Sequence, residues 1–360
     1  MGHAYSYAVL DRESHTVTCN RCDYVETSPH AYTGGTCICG EAEVYEPVLA
    51  PELKINHSLN LASDISVNLL VAKSLLEGYD LSTVYLSVEL DRYEGNTQIA
   101  PITHTIKPVD QGSFYYFTLE GLTATQMNDK IRSVLHGVKN GRPYYSSVDH
   151  YSIADYAYAQ LNKIDVAPGL KKLCADLLRY GASAQIFKAY RTDALADSYM
   201  TEENSAYLSN LDTVTFGNTN TVLTDLAEPT VVWTGKALEL NSKVTLKFVF
   251  ALGSYTGAVQ DLELLVSYTD RLGQTRQLRL TDPQAYGAGN THYSFTFDGL
   301  LAAELRSVVS AQIYAGDTPL SCTLQYSADT YGANKTGALG DLCKALFAYS
   351  DSAKAYFPGN

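Results

Sequence analysis

Apolar residues follow strand patterns in four short segments of the chain. In residues 66–71, 116–119, 244–250 and 294–297, β-branched and aromatic side chains alternate with polar ones or run without a break. Turn-forming Gly, Asn and Asp residues lie between these segments. Such segments are typical of β-strands, and several short strands at this spacing predict antiparallel β-sandwiches.

The period changes after Pro168, where apolar side chains recur three and four residues apart. These positions are Leu170, Leu173, Leu177, Tyr180 and Ala184. This spacing places them on one face of a helix, and proline suits the first helical position. Residues 339–356 carry the same stripe. We expect each helix to pack on its own sandwich or on the neighbouring module.

The chain also aligns with itself. Residues 65–72 match 244–251 without a gap, 116–122 match 294–300, and the stripe after Pro168 matches 339–356. The offset changes only in turns, where insertions and deletions are tolerated best. We interpret the chain as a tandem repeat of one strand-rich module that ends in a helix.

The chain has 360 residues, more than the roughly 250–300 at which a single core usually stops growing. The predicted fold class is mainly β, with two tandem antiparallel β-sandwich modules, each followed by an α-helix, behind a small zinc-ribbon-like segment. The predicted units are a Cys-rich segment 1–47, a first module 52–200, a linker 201–229 and a second module 230–360. A short helix is predicted to begin at Thr201.

Four of the seven cysteines lie close together in the predicted N-terminal segment. They are Cys19, Cys22, Cys37 and Cys39. Two short cysteine turns facing each other can hold zinc in a tetrahedron of thiolates, so we predict a closed, structural zinc site. His15 and His30 are the substitutes if one cysteine is not a ligand. Two disulfides are the alternative interpretation.

Charge and hydropathy exclude several classes of partner. The net charge is −13, which disfavours nucleic acid because phosphate binding needs clustered Lys and Arg. No stretch reaches the roughly 20 consecutive apolar residues that span a bilayer, and the first residues contain no apolar signal core. We therefore expect a soluble chain that does not insert into membranes.

Tyrosine is abundant, with 28 copies, and five of them cluster in the first module. They are Tyr115, Tyr116, Tyr144, Tyr145 and Tyr151. Tyrosine rings exposed on a sandwich can stack on sugars or dock proteins, so these residues are a candidate ligand-binding surface. The alternative is that they fill half-buried strand positions.

Motifs of catalysis do not occur in a suitable context. The chain contains no G-x-S-x-G and no H-E-x-x-H. Glu89 with Asp91 would share a strand face, where solvation explains paired carboxylates better than catalysis does. Cys174 and Cys343 occupy equivalent positions in the two helical stripes, which favours buried thiols over nucleophiles. We predict that the chain is not an enzyme.

Two segments resemble proteins of gut Firmicutes. Residues 15–24 and 30–40, with His15-x3-Cys19-x2-Cys22 and His30 before Cys37-x-Cys39-Gly40, resemble short His/Cys repeats in large surface proteins. Residues 151–157 and 177–185 resemble a module of unknown function that recurs in the same proteins. The resemblance implies a secreted or wall-attached bacterial protein with accessory or stalk modules.

The predicted function is therefore a non-enzymatic extracellular module of a bacterial surface protein, either adhesin-like or a spacer. Its partner would be a glycan or a protein whose identity the residues do not specify. The alternative is a carbohydrate-binding module attached to a hydrolase. An export signal and an anchor would lie outside these residues. The residues do not indicate an oligomeric state.

Overall fold

The protein is described here by a computed structural model that covers residues 2–61, 65–240, 243–287, 289 and 291–357. A few residues of the predicted units 1–47, 52–200 and 230–360 thus lie outside the described residues. The described chain is mainly β, with several antiparallel sheets, as the strand patterns predicted. It consists of a small N-terminal unit and two β-sandwich modules.

The N-terminal unit contains one three-stranded sheet and one short hairpin. Its strands are β1 (Tyr5–Val9), β2 (Ser14–Cys19), β3 (Val25–Pro29), β4 (Tyr32–Thr33) and β5 (Thr36–Cys37). The sheet is antiparallel in the order β1-β2-β3, and β4 pairs with β5. The central strand β2 places Cys19 opposite Tyr5 and His15 opposite Ser28.

The first module is a sandwich of a six-stranded and a four-stranded sheet. Its strands are β6 (Val48–Leu49), β7 (Asn56–Asn60), β8 (Ser66–Ala72), β9 (Tyr79–Glu94), β10 (Thr97–Ile106), β11 (Val109–Gln111), β12 (Phe114–Leu119), β13 (Ile131–Lys139), β14 (Arg142–Tyr145) and β15 (Asp149–Tyr151). The larger sheet has the order β10-β9-β13-β14-β6, with β15 also paired to β13. The smaller sheet has the order β11-β12-β8-β7.

The second module repeats most of this strand pairing but differs at one edge strand, which pairs antiparallel here and parallel in the first module. Its strands are β16 (Asn220–Val222), β17 (Val232–Leu240), β18 (Val244–Ala251), β19 (Leu262–Thr269), β20 (Thr275–Leu280), β21 (Gln284–Tyr286), β22 (His292–Phe297), β23 (Val308–Ala315), β24 (Thr318–Pro319) and β25 (Leu324–Ser327). The sheets have the orders β16-β25-β23-β19-β20, with β24 on β23, and β21-β22-β18-β17. Even the register corresponds: Phe117 pairs with Leu69 in the first module, and Phe295 pairs with Phe248 in the second.

The α-helices of the described residues are α1 (Ile153–Asn162), α2 (Pro168–Lys188), α3 (Glu202–Ser205) and α4 (Gly337–Tyr356). Short 3₁₀ helices cover Lys73–Leu76, Ala124–Gln126, Leu211–Thr213, Val259–Asp261, Ala302–Glu304 and Ala328–Asn334. Both striped helices therefore form where the sequence predicted them. None of the helices in the described part of the chain is long and apolar enough to cross a membrane.

A single apolar core runs through both modules. Helices α2 and α4 pack against each other, and the rings of Tyr180 and Tyr349 stack with centroids 5.8 Å apart. Both tyrosines are buried, and full burial of each large apolar side chain stabilises the fold by about 1.5–3 kcal/mol. Gly181 lets α2 approach Met127 closely, since a Cβ there would lie 2.6 Å from the sulfur of Met127 and the methionine would have to shift.

The segment predicted as a linker, 201–229, packs on both modules. Thr201 caps α3, its side chain accepting the N–H of Asn204 at 3.1 Å. Ser209 bonds to Asp176 of α2, and β16 adds an edge strand to the second module. The two sandwiches are thus joined both by this segment and by their helices.

Candidate metal centre

The N-terminal unit gathers His and Cys side chains because its strands and turns direct them to the same side. His15 and Cys19 stand four residues apart on β2, so they point to one face of the sheet, at opposite ends of the strand. Cys37 ends β5, and a turn in which the N–H of Gly40 donates to the carbonyl of Cys37 brings Cys39 back beside it. His30 follows β3 directly.

The larger group consists of His15, His30, Cys37 and Cys39, whose ligand atoms lie within 4.8 Å of one another. His15 and Cys37 are buried, and His30 and Cys39 are half-buried. Two nitrogen and two sulfur donors are a common ligand set for a tetrahedral ion. This group could hold a metal ion.

Two nitrogen–sulfur distances in this group match the edge of a coordination tetrahedron. The Nδ1 atom of His15 lies 3.5 Å from the Sγ of Cys37, and the Nδ1 of His30 lies 3.3 Å from the Sγ of Cys39. With metal–sulfur and metal–nitrogen bonds of about 2.3 and 2.05 Å, a tetrahedral N···S edge is about 3.5 Å long. These two of the six donor–donor distances are therefore close to those that a zinc-sized ion would require, and the other four are below 4.8 Å.

One ring is also oriented for ligation by an outer hydrogen bond. The Nε2 of His30 lies 3.0 Å from the backbone carbonyl of Asp11. A carbonyl can only accept, so Nε2 carries the hydrogen and, in the neutral ring, Nδ1 keeps its lone pair toward the cysteines. Metal-binding histidines commonly hold their other nitrogen in this way.

Two of the thiols have a lowered pKa. Burial by itself raises the pKa of Cys37, but hydrogen bonds from the backbone of Cys39 and from His30 outweigh it and lower the pKa to about 6. Hydrogen bonds from His3 and from the backbone of Arg21 lower the pKa of Cys19 to about 6. Thiolates are the form that binds metals.

The four cysteines predicted to form one site are divided between two groups. Cys37 and Cys39 lie with His15 and His30, while Cys19 and Cys22 lie with His3. The sequence prediction of a single four-cysteine site is corrected accordingly. The physical reason is the length of β2, because Cys19 ends the strand about 14 Å from His15 at a rise of about 3.4 Å per residue.

His15 and His30, the predicted substitutes, lie in the larger group. His3 was missed by the sequence analysis. A signal for it exists, since His3-Ala4-Tyr5 repeats as His30-Ala31-Tyr32. In both copies the histidine ring packs against the tyrosine two residues later, with centroids 5.7 Å apart.

The structure does not bring the five candidate tyrosines together on one surface. Tyr115 and Tyr116 lie on β12 of the smaller sheet, whereas Tyr144 and Tyr145 lie on β14 of the larger sheet. Neighbours along a strand point to opposite faces, so each pair is also split. Tyr151 stacks on His57 with centroids 3.9 Å apart. All five are half-buried.

Other candidate groups have internal partners. Arg132 pairs with Glu89 at 3.2 Å and with Asp91 at 2.6 Å, so the paired carboxylates share a cation. Cys174 and Cys343 are buried, and burial raises their pKa to about 12 and about 11. Such thiols stay protonated, which suits packing rather than nucleophilic attack.

No protein-family model matches the chain, and no curated protein matches it. What the fold and the site define is a mainly β chain of two sandwiches, preceded by a small unit whose His/Cys cluster could hold a metal ion. Its function has to be inferred from these features.

Proposed function

We propose that the chain is a non-enzymatic spacer segment of an extracellular bacterial surface protein, with its N-terminal unit held by a structural zinc ion. The observation that carries the proposal is the single apolar core that joins both sandwiches through α2 and α4. A spacer must hold its ends at a constant separation. A close-packed core shared by two modules resists bending between them.

A buried charge between the two modules supports a structural role, because its partners are protein side chains. Asp176 of α2 is fully buried and accepts hydrogen bonds from Arg179, from Ser209 and from Ser352 of α4. This carboxylate therefore ties the first module to the second. A catalytic acid or base would instead need access to a substrate.

The four donors of the larger His/Cys group support zinc in a structural role. Four protein ligands would complete the coordination of a tetrahedral ion and leave no position for a substrate, which is typical of structural zinc. All seven cysteines are free thiols in the structure. Each pair of N-terminal cysteines also faces an imidazole nitrogen, an arrangement that the alternative of two disulfides would not need.

The extracellular and bacterial parts of the proposal depend on the resemblance of residues 15–24, 30–40, 151–157 and 177–185 to surface-protein segments. The carbohydrate-binding alternative has less support, since sugar binding needs ring faces open to solvent. One face of Tyr151 is covered by His57, and Lys73 lies over the ring of Tyr115.

The shared core is tested by destabilising one module and observing the other. Trp233, the single tryptophan, lies on β17 and reports on unfolding of the second module. Phe117→Ala removes a buried ring from the first module and should cost about 3–5 kcal/mol. If the two sandwich modules unfold as one unit, the unfolding free energy measured at Trp233 in urea falls by this full amount. Phe117→Leu is the milder variant if Phe117→Ala does not fold.

Matched variants complete this test. Phe295→Ala alters the equivalent ring of the second module and must shift the Trp233 signal in either case. Ile164→Ala, at a side chain that is 93% exposed, should leave it unchanged. A Trp233 transition that keeps its midpoint in Phe117→Ala, while hydrogen exchange shows the first module opening, would refute a shared rigid body.

The absence of a ligand is tested separately. The zinc-loaded chain is applied to arrays of glycans and of extracellular host proteins, and we expect no saturable binding. Saturable binding to a defined glycan that is lost in Tyr145→Ala would favour the carbohydrate-binding alternative. Saturable binding to a protein would favour an adhesin.

A further inference from the structure

The smaller His/Cys group has a geometry that a pairwise hydrogen bond does not explain. The Nδ1 atom of His3 lies 3.5 Å from the Sγ of Cys19 and 3.6 Å from the Sγ of Cys22. One nitrogen thus faces two sulfurs at nearly equal distances. Both distances match the N···S edge of about 3.5 Å expected in a zinc tetrahedron. They are two of the three edges of one face of such a tetrahedron, and the two sulfurs lie within 4.8 Å of each other.

Backbone hydrogen bonds hold this face in place. The N–H of Cys19 donates to the carbonyl of Tyr24 at 2.9 Å and closes the turn that carries Cys22. The N–H of Asn20 donates to the carbonyl of Ala4 at 2.7 Å, and Arg21 donates to the carbonyl of Gly2 at 2.9 Å. These bonds fasten the backbone on both sides of His3 to the cysteine turn.

The two groups are built on one plan. Each combines the histidine of a His-Ala-Tyr tripeptide with a pair of cysteines from one turn. The larger group adds a fourth donor, His15, from β2. Among the described residues the smaller group has three donors, and two of them, His3 and Cys22, are exposed. Three protein donors leave one tetrahedral position open.

We infer that His3, Cys19 and Cys22 bind a second zinc ion, whose fourth position is open to water or to a small external donor such as an imidazole. Two thiolates and a neutral imidazole balance the charge of a divalent ion. Exposure on the side of His3 and Cys22 gives an external donor access. The two ions would sit at opposite ends of β2.

Cobalt(II) is the probe, because its visible spectrum reports thiolate ligation and coordination number. Metal-free, reduced full-length chain is titrated with cobalt, and zinc is then added as a competitor while metal content is measured directly. We expect two equivalents in the unaltered chain. Cys22→Ser should remove one of them, and Cys39→Ser should remove the other. Asp23→Asn, an exposed neighbour of Cys22, is the control and should retain both.

The open position has its own signature. Added imidazole should change the part of the spectrum that Cys22→Ser abolishes, and it should leave the part that Cys39→Ser abolishes unchanged. His3→Gln should weaken only the imidazole-sensitive site. The cobalt that remains bound in the Cys22→Ser chain shows that the N-terminal unit is still folded.

The outcomes separate this inference from the proposed structural zinc. If the chain binds one equivalent of cobalt, and Cys39→Ser removes it while Cys22→Ser does not, the second site is overturned and the first remains. Two equivalents that both survive Cys22→Ser also overturn it. If two equivalents bind but imidazole does not change the spectrum of the cobalt that depends on Cys22, the open position is overturned. No bound metal at all overturns both sites.

Discussion

The N-terminal unit and the two-sandwich body are held together by different means. Within residues 2–47, the buried side chains are His15, Cys19 and Cys37, and all three are candidate ligands. Apolar side chains of this unit, such as Val25 and Ile38, are about two-thirds exposed, at 64% and 66%. The body, in contrast, buries a continuous apolar core. A unit without such a core needs another source of stability, which the ligand set can supply.

The largest predicted effect is that of removing the metal, which should unfold one of these two regions and not the other. Structural zinc in small domains contributes about 10–16 kcal/mol of binding free energy, which is also folding free energy. Chelation in the presence of a thiol reductant should therefore unfold residues 2–47 and leave both sandwiches folded. Hydrogen exchange by mass spectrometry would show loss of protection in β1 to β5 only, with an unchanged Trp233 transition.

Readdition of zinc is the control, and it should restore protection in the N-terminal unit. If protection in β1 to β5 survives chelation, the unit is held by something other than a metal, and the contrast with the body disappears.

The second prediction asks whether the body depends on its core alone. Asp176→Ala should destabilise the body by about 3–5 kcal/mol, because Arg179, which is half-buried, would lose its carboxylate partner. Ser209 and Ser352 would also lose their acceptor. Urea denaturation followed at Trp233 measures the loss. Asp341→Ala, an exposed aspartate of α4, is the matched control and should change stability by less than about 0.5 kcal/mol.

A loss below about 1 kcal/mol in Asp176→Ala would mean that the apolar core alone holds the modules together. The hydrogen bonds of Asp176 would then add little stability beyond the packing between α2 and α4.

The third prediction concerns pH. Burial raises the pKa of Asp129 to about 6, against the lowering effect of hydrogen bonds from Tyr190 and Arg191. Between pH 4 and 6 the folded chain keeps this proton while the unfolded chain, with a pKa near 3.8, releases it. Stability from this group therefore falls as pH rises through that window, by up to about 3 kcal/mol at 1.36 kcal/mol per pKa unit.

Asp129→Asn removes the titration and keeps an oxygen acceptor for Tyr190. The difference in unfolding free energy between the two chains should favour the unaltered chain at pH 4 and decline toward pH 7. Parallel stability profiles would show that folding does not raise the pKa of Asp129.

The elements of the body could be predicted from the sequence because they carry strong local patterns. The strands around residues 66–71 and 244–250 and the helices after Pro168 and Gly337 form as expected. Helix α1 was missed, although Ser152 and Asp155 stand at capping positions. Its buried face includes Ala154 and Ala157, and alanines give a weak apolar stripe.

How the elements associate could not be predicted in the same way. A stripe of leucines and tyrosines shows that a helix face is buried, but it does not identify the surface opposite. The stacking of Tyr180 on Tyr349 decides that α2 packs on α4. For the metal centre, nearness in sequence grouped four cysteines, whereas strand geometry separates Cys19 from Cys37 and adds histidines. Which side chains can share a metal depends on the distances between their ligand atoms in the fold, and spacing along the sequence does not give those distances.

The smallest predicted effect tests how much a local helix signal contributes to a body held by its core. The side chain of Ser152 accepts the N–H of Asp155 at 3.1 Å and caps α1. Ser152→Ala should cost about 1 kcal/mol, since an unmade cap leaves a helix N–H without its acceptor. The equivalent Ser327 of the second module instead donates to Asp329 ahead of a 3₁₀ helix, so α1 is the place to measure a cap. Thermal unfolding of Ser152→Ala and of Ser147→Ala, an exposed neighbour, gives the comparison.

Equal stability of the two variants would mean that the packing of α1 on α2 alone sets the stability of α1. A loss well above 2 kcal/mol would mean that Ser152, which is fully buried, also contributes through its packing.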